Sequence, residues 1–171
     1  MKFKNDKQWL AGIVAIAALG GLFVGQASAD EKTIPATNCV QVSGLGTLLR
    51  DLNGRIFNTS SLADVTVLCP LVRDNVVSAP TSVRVVVFDN SSTLIGEDDI
   101  LCRVRSMSPT GSQAFLGSVR STSGTNSAGT TLTLTPVSEF DRGAYAVQCT
   151  IPRKGLIDPN SGIASITIDE P

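Results

Sequence analysis

The sequence predicts an all-β chain, folded as an antiparallel β-sandwich of about eight strands, immunoglobulin-like or jelly-roll-like in outline, behind an N-terminal signal helix. Three observations carry that expectation. Apolar and polar residues alternate with a period of two along most of the chain, while helical periodicity is hard to find. Turn-forming residues punctuate these runs at spacings of roughly 10–18 residues. The length, 171 residues, is one domain's worth of material.

The first thirty residues read as an address. Lys2, Lys4 and Lys7 precede an apolar run from Trp9 to Val24, followed by Gln26-Ala27-Ser28-Ala29-Asp30. A basic start, an apolar middle and small residues at −3 and −1 describe a secretory signal peptide over 1–29, cleaved between Ala29 and Asp30. The apolar run is short of the roughly 20 residues that span a bilayer. Residues 30–171 then form the single mature domain. They keep 11 basic and 14 acidic residues, for a net charge of −3.

The strands follow in order. Residues 48–52 and 55–57 flank Asn53-Gly54, a strong hairpin signal. Val65, Val67 and Cys69 alternate with Thr66 and Leu68. The run Val-Arg-Val-Val-Val-Phe at 83–88 is apolar on nearly both faces, as in a central strand. Ile100, Cys102 and Val104 alternate with Arg103 and Arg105. Phe115, Gly117 and Val119 oppose Ser118 and Arg120. Leu132 and Leu134 alternate with threonines. Tyr145, Val147, Cys149 and Ile151 oppose Ala144, Ala146, Gln148 and Thr150, and Ile166 and Ile168 close the chain. Residues 118–131 read as a long hairpin loop, and Phe57, Phe88, Phe115 and Phe140 as core.

Cys39, Cys69, Cys102 and Cys149 all follow the cleavage point, and an even number in an exported chain implies disulfides. Three pairings are open. Cys39–Cys69 with Cys102–Cys149 is favoured, closing loops of about 30 and 47 residues, each worth roughly 3–4 kcal/mol in the chain-entropy model. The inward parity of Cys102 and Cys149 suits a bridge across the core, and Cys39 would pin an otherwise loose terminus. A zinc site is disfavoured, because the cysteines lack the close C-x2-4-C pairing of such sites.

Asp141-Arg142-Gly143-Ala144-Tyr145 resembles the D-x-G-x-Y element of immunoglobulin-type domains, whose tyrosine forms a corner two residues before a core cysteine. Here Cys149 lies four residues after Tyr145 and no tryptophan follows Cys102. That resemblance supports a sandwich and not the immunoglobulin family. Val67-Leu68-Cys69-Pro70-Leu71-Val72-Arg73-Asp74, after Gly54-Arg55-Ile56-Phe57-Asn58, resembles a recurrent pattern in uncharacterised exported bacterial proteins with paired cysteines. This second resemblance spans most of residues 30–171. It implies a secreted, disulfide-bonded β-domain and carries no activity with it.

Composition excludes several chemistries. The chain has no histidine, so Ser-His-Asp triads, Cys-His dyads and histidine-ligated metals are out. It has no basic excess, which argues against nucleic acid. Glu97, Asp98 and Asp99, with Asp89 upstream, form the densest acidic cluster. A hard cation such as Ca²⁺ wants several oxygens from one loop, and the bland alternative is a solvated turn. No other cofactor is expected. Arg84, Arg103, Arg105 and Arg120 fall at outward strand positions, where they could make one face for an anionic glycan or phosphate. Ordinary edge-protecting charge is the alternative. Arg73 and Asp74 read as a local ion pair fixing a loop.

The expected function is a non-enzymatic binding or surface-structural β-domain, exported to the periplasm or the medium. Its partner would be a protein or a glycan, with no transmembrane span left after cleavage. An assembly or envelope subunit is one alternative, and a small extracellular hydrolase using the acidic loop is another.

Overall fold

A computed structural model of the protein describes residues 30–74, 78–91, 99–155 and 158–171. The expected signal peptide over 1–29 lies outside the described residues. So do Glu97 and Asp98.

Twelve strands among the described residues form two antiparallel sheets. The first sheet holds β1 (Asp30–Pro35), β3 (Leu48–Arg50), β4 (Ile56–Asn58), β6 (Ser82–Asp89), β10 (Asn126–Leu134) and β12 (Gly162–Glu170). Its order is β10-β6-β12-β4-β3, and β1 runs along the second half of β12 while β4 takes the first. The second sheet holds β2 (Val40–Ser43), β5 (Val65–Pro70), β7 (Leu101–Met107), β8 (Ala114–Leu116), β9 (Arg120–Ser121) and β11 (Ala144–Ile151). Its order is β2-β5-β11-β7-β8, with β9 also beside β7. The chain changes sheet at most of its connections.

The alternation translates directly into the core. Val83, Val85 and Val87, Ile166 and Ile168, and Leu132 and Leu134 are buried from the first sheet. Val65 and Val67, Val104, and Tyr145, Val147 and Ile151 meet them from the second. A side-chain period of two cannot bury both Ile163 and Ile166, which are three residues apart. A bulge between Ile163 and Ser165 shifts the register of β12 against β6 and turns both isoleucines inward.

Several expectations need correction. The strands outnumber the expected eight because β1, β2 and β9 are short or lie at edges, without a clear alternation. Asp30–Pro35 is no loose terminus, since it pairs residue for residue with β12 from Glu170 to Ser165. The expected loop over 118–131 contains β9 and the start of β10, whose register shifts between Asn126 and Thr130. Asn53-Gly54 sits in a five-residue connection, because the last pair of the hairpin is Arg50 with Ile56. Asp51 organises that connection, accepting hydrogen bonds at Oδ1 from the Asn53 and Arg55 amides, both at 2.9 Å.

None of the four phenylalanines is buried. Phe57 and Phe88 lie on the outer face of the first sheet, on either side of Gly162 in the register. Phe115 is exposed and stacks on Phe140 at 4.6 Å. β-branched residues from both sheets supply most of the core, and Tyr145 is the aromatic buried among them.

One disulfide lies within the second sheet and the other ties the residue before β2 to it. Cys102 and Cys149 face each other directly on β7 and β11, with Cα atoms 4.2 Å apart. Cys39 ends the short 3-10 turn Ala36–Asn38 and bridges to Cys69 of β5, 4.0 Å away between Cα atoms. The Cys102–Cys149 bridge therefore does not cross the core. Inward parity is also satisfied by two neighbours on one face of one sheet, and that is the arrangement here.

The D-x-G-x-Y element does build a corner. The Tyr145 hydroxyl donates to the Val137 carbonyl, eight residues upstream. Burial pushes its phenol above the ordinary tyrosine range.

Candidate functional site

The outer face of the second sheet carries a shallow groove of about 220 Å³. The register that turns Cys102 and Cys149 inward sends Arg103, Gln148 and Thr150 outward. Leu101 and Val119 flank them, and all five line the groove. Gln148 Oε1 sits at its centre. It accepts from Arg103 Nη2 at 3.2 Å, from Arg103 Nε at 3.4 Å and from Arg105 Nη1 at 3.4 Å. The groove thus joins two aliphatic walls to a guanidinium, an amide and a hydroxyl. These are hydrogen-bonding groups, and none is a nucleophile with an activating base.

The four outward arginines do not form one stripe. Arg84 belongs to β6 in the first sheet, on the opposite side of the sandwich. There it pairs with Glu31 at 2.9 Å and Asp169 at 3.1 Å, which raise its pKa further. Arg120 is the register partner of the inward Cys102, so it does not share a face with Arg103. Period two fixes the parity of each arginine within its strand but does not say which sheet the strand joins. Only Arg103 and Arg105 of the four stand side by side.

Asp89 is fully buried at the end of β6. Its Oδ1 accepts from Ser91 N at 3.1 Å, Ser91 Oγ at 2.6 Å and Ser161 Oγ at 3.3 Å. Its Oδ2 accepts from Ile100 N at 3.2 Å and from the Thr122 hydroxyl. Protein donors occupy both oxygens, so Asp89 ties together four chain segments. Among the described residues no group of three acidic, cysteine or histidine side chains is placed to hold a metal ion, and Asp99 joins none.

A buried ion network lies where β1, β12 and the segment after β5 meet. Arg73 and Glu170 are 4% and 3% exposed at their side chains and pair at 3.3 Å. Arg73 also reaches Glu139 at 3.2 Å and covers the Tyr145 ring at 4.5 Å. Asp74 pairs with Lys32 of β1 at 2.6 Å. That hydrogen bond holds Asp74 below the ordinary carboxylate range and raises Lys32. The expected Arg73–Asp74 pair is therefore replaced by three longer-range ones, to Glu170 and Glu139 from Arg73 and to Lys32 from Asp74, because the fold brings better-placed partners to each. Sequence spacing carries no signal for contacts between residues 73 and 170.

Besides the stack of Phe115, on the edge strand β8, with Phe140, Phe57 and Phe88 form a second aromatic surface, on the outer face of the first sheet. Arg55 already occupies it, with its guanidinium 5.2 Å and 5.6 Å from the two ring centres. Asp51 holds Arg55 at 2.6 Å. The cation–π and ionic partners there are mutually satisfied.

No protein-family model matches the chain, and no curated protein matches it in sequence. Solved structures resemble it in fold. A low-affinity xylan-binding module, CBM86, from the gut symbiont Roseburia intestinalis superposes with a TM-score of 0.53 at 15% identity, covering 81% of this chain and 94% of that one. The C-terminal CBM6 module of LamC, a laminarinase from the marine Zobellia galactanivorans, gives 0.48 at 11% identity, covering 82% and 100%. The first likeness shows a shared β-sandwich fold.

Proposed function

We propose that the protein is an exported, non-catalytic β-sandwich that binds a glycan on the outer face of its second sheet. The groove at Arg103, Gln148 and Thr150 carries the reading. It combines aliphatic walls, suited to the apolar side of a sugar ring, with donors and acceptors for its hydroxyls. A fold shared with a xylan-binding module supports it, as do the two disulfides, which suit an oxidising compartment. Affinity electrophoresis of the protein purified from its host tests it, in gels carrying soluble xylan, mixed-linkage glucan or pectin. Retardation by at least one polysaccharide is expected, and Gln148→Ala should relieve it. Unretarded migration in every gel would contradict the reading.

A second reading, a subunit that assembles through its edges, rests on a different observation. Val40, Val42 and Leu49 are exposed on β2 and β3, the edge strands on one side of the sandwich, with Leu45 in the loop between them. Exposed apolar edge strands are pairing templates. Light scattering of the same preparation separates the two, since assembly requires a concentration-dependent rise in mass.

A further inference from the structure

We infer that the sugar received in this groove is acidic, and that Arg103 and Arg105 together take its carboxylate. The inference rests on the glycan reading above and adds the ligand's chemical class. The two arginines stand two residues apart on β7 and share its outer face, about 7 Å from each other along the strand. Both guanidiniums converge on one neutral oxygen, Gln148 Oε1. Neither forms an ion pair among the described residues. Arg55, Arg73 and Arg84, by contrast, each hold a carboxylate at 2.6–3.3 Å.

Gln148 itself lines the groove, so an anion arriving at its Oε1 would be met by both guanidiniums. Two positive charges held together by an amide oxygen are mutually repelled, and a carboxylate between them reverses that sign. The planar guanidinium fork matches a carboxylate in bidentate fashion. The space is below the ~300–1,000 Å³ of pockets for drug-sized ligands, so it suits one charged sugar unit of a chain that continues across the sheet. The net charge of −3 over residues 30–171 makes a broad polyanion field effect unavailable. Recognition is therefore local to this pair.

Calorimetric titration of the host-purified protein with three probes tests this. They are a galacturonic acid oligomer, the same oligomer methyl-esterified, and a neutral xylo-oligosaccharide. The acid should bind about tenfold or more tighter than its ester, and raised salt should weaken it. Arg105→Gln should remove about tenfold. Arg103→Lys, which keeps the charge and loses the fork, should also weaken binding, and Arg84→Gln on the opposite sheet should leave it unchanged. Unshifted thermal midpoints establish that the variants fold, and if Arg105→Gln does not, Arg103→Lys carries the test. Equal affinity for acid and ester would overturn the inference and leave the glycan reading standing. Binding to none of these probes, together with unretarded migration in every polysaccharide gel, would end both.

Discussion

Asp89 is a fully buried carboxylate that ties four segments of the chain together. Five protein donors from four segments converge on it, and every one is buried or nearly so. Asp89→Ala should destabilise the fold by about 3 kcal/mol, measured by denaturant unfolding, because it leaves buried donors without acceptors. Asp89→Asn keeps one carbonyl oxygen and should cost less. Tyr145 gives a residue-scale pH test. It is the chain's only tyrosine, and the only tryptophan, Trp9, precedes the expected cleavage point. Burial raises its folded pKa above the unfolded value of about 10. The stability it contributes is whole below that pH and is lost as pH rises through the folded value. The ultraviolet band of the phenolate should appear only above the ordinary tyrosine range and together with unfolding; a phenolate forming near pH 10 in the folded protein would refute the corner. The acid side has the opposite sign. Asp74 is depressed by Lys32. At Asp51 burial pushes upward, but hydrogen bonds from Arg55 and Asn53 outweigh it and leave the carboxyl low. Their contribution is present above about pH 4 and fades as pH falls through the folded values.

At the scale of elements, legibility followed parity. The buried faces of β5, β6, β7 and β11 could be read from the sequence because alternation is a local property of a strand half-buried against a core. Period two says nothing about neighbours. It could not separate a disulfide within a sheet from one between sheets, nor place Arg84 on a different sheet from Arg103. Edge strands such as β1 and β2 carry little alternation, because β1 buries only Ile34 and β2 buries none of its residues. The bulge in β12 breaks the period it depends on, so Ile163 dropped out of the pattern that Ile166 and Ile168 kept. Of the groove, Arg103, Gln148 and Thr150 were readable as outward, but their convergence depends on the pairing of β7 with β11. Gly162 tests that packing. A Cβ there would lie 2.2 Å from the Ile56 carbonyl oxygen and 2.5 Å from the Phe57 ring. Backbone cannot yield as a side-chain tip does. Gly162→Ala should therefore lower stability by about 2 kcal/mol or more and lower the thermal midpoint by several degrees. An unchanged midpoint would mean that β4 does not pack against β12 as described.

Over the whole molecule, the two sheets do different work. In the first, β1 lies along β12, and Glu170 holds Arg73 while Lys32 holds Asp74. Its outer face is occupied by its own ion pairs and by Arg55 over two phenylalanines. The second is stapled by both disulfides, and its outer face keeps arginines whose charge no described residue neutralises. This asymmetry is the central claim, and residue-resolved NMR during addition of a bound oligosaccharide tests it most directly. The account predicts that shifts concentrate at Leu101, Arg103, Arg105, Gln148 and Thr150, with Arg84, Phe57 and Phe88 unmoved. Shifts centred on Phe57 and Phe88 instead, or along the β2 and β3 edges, would contradict it.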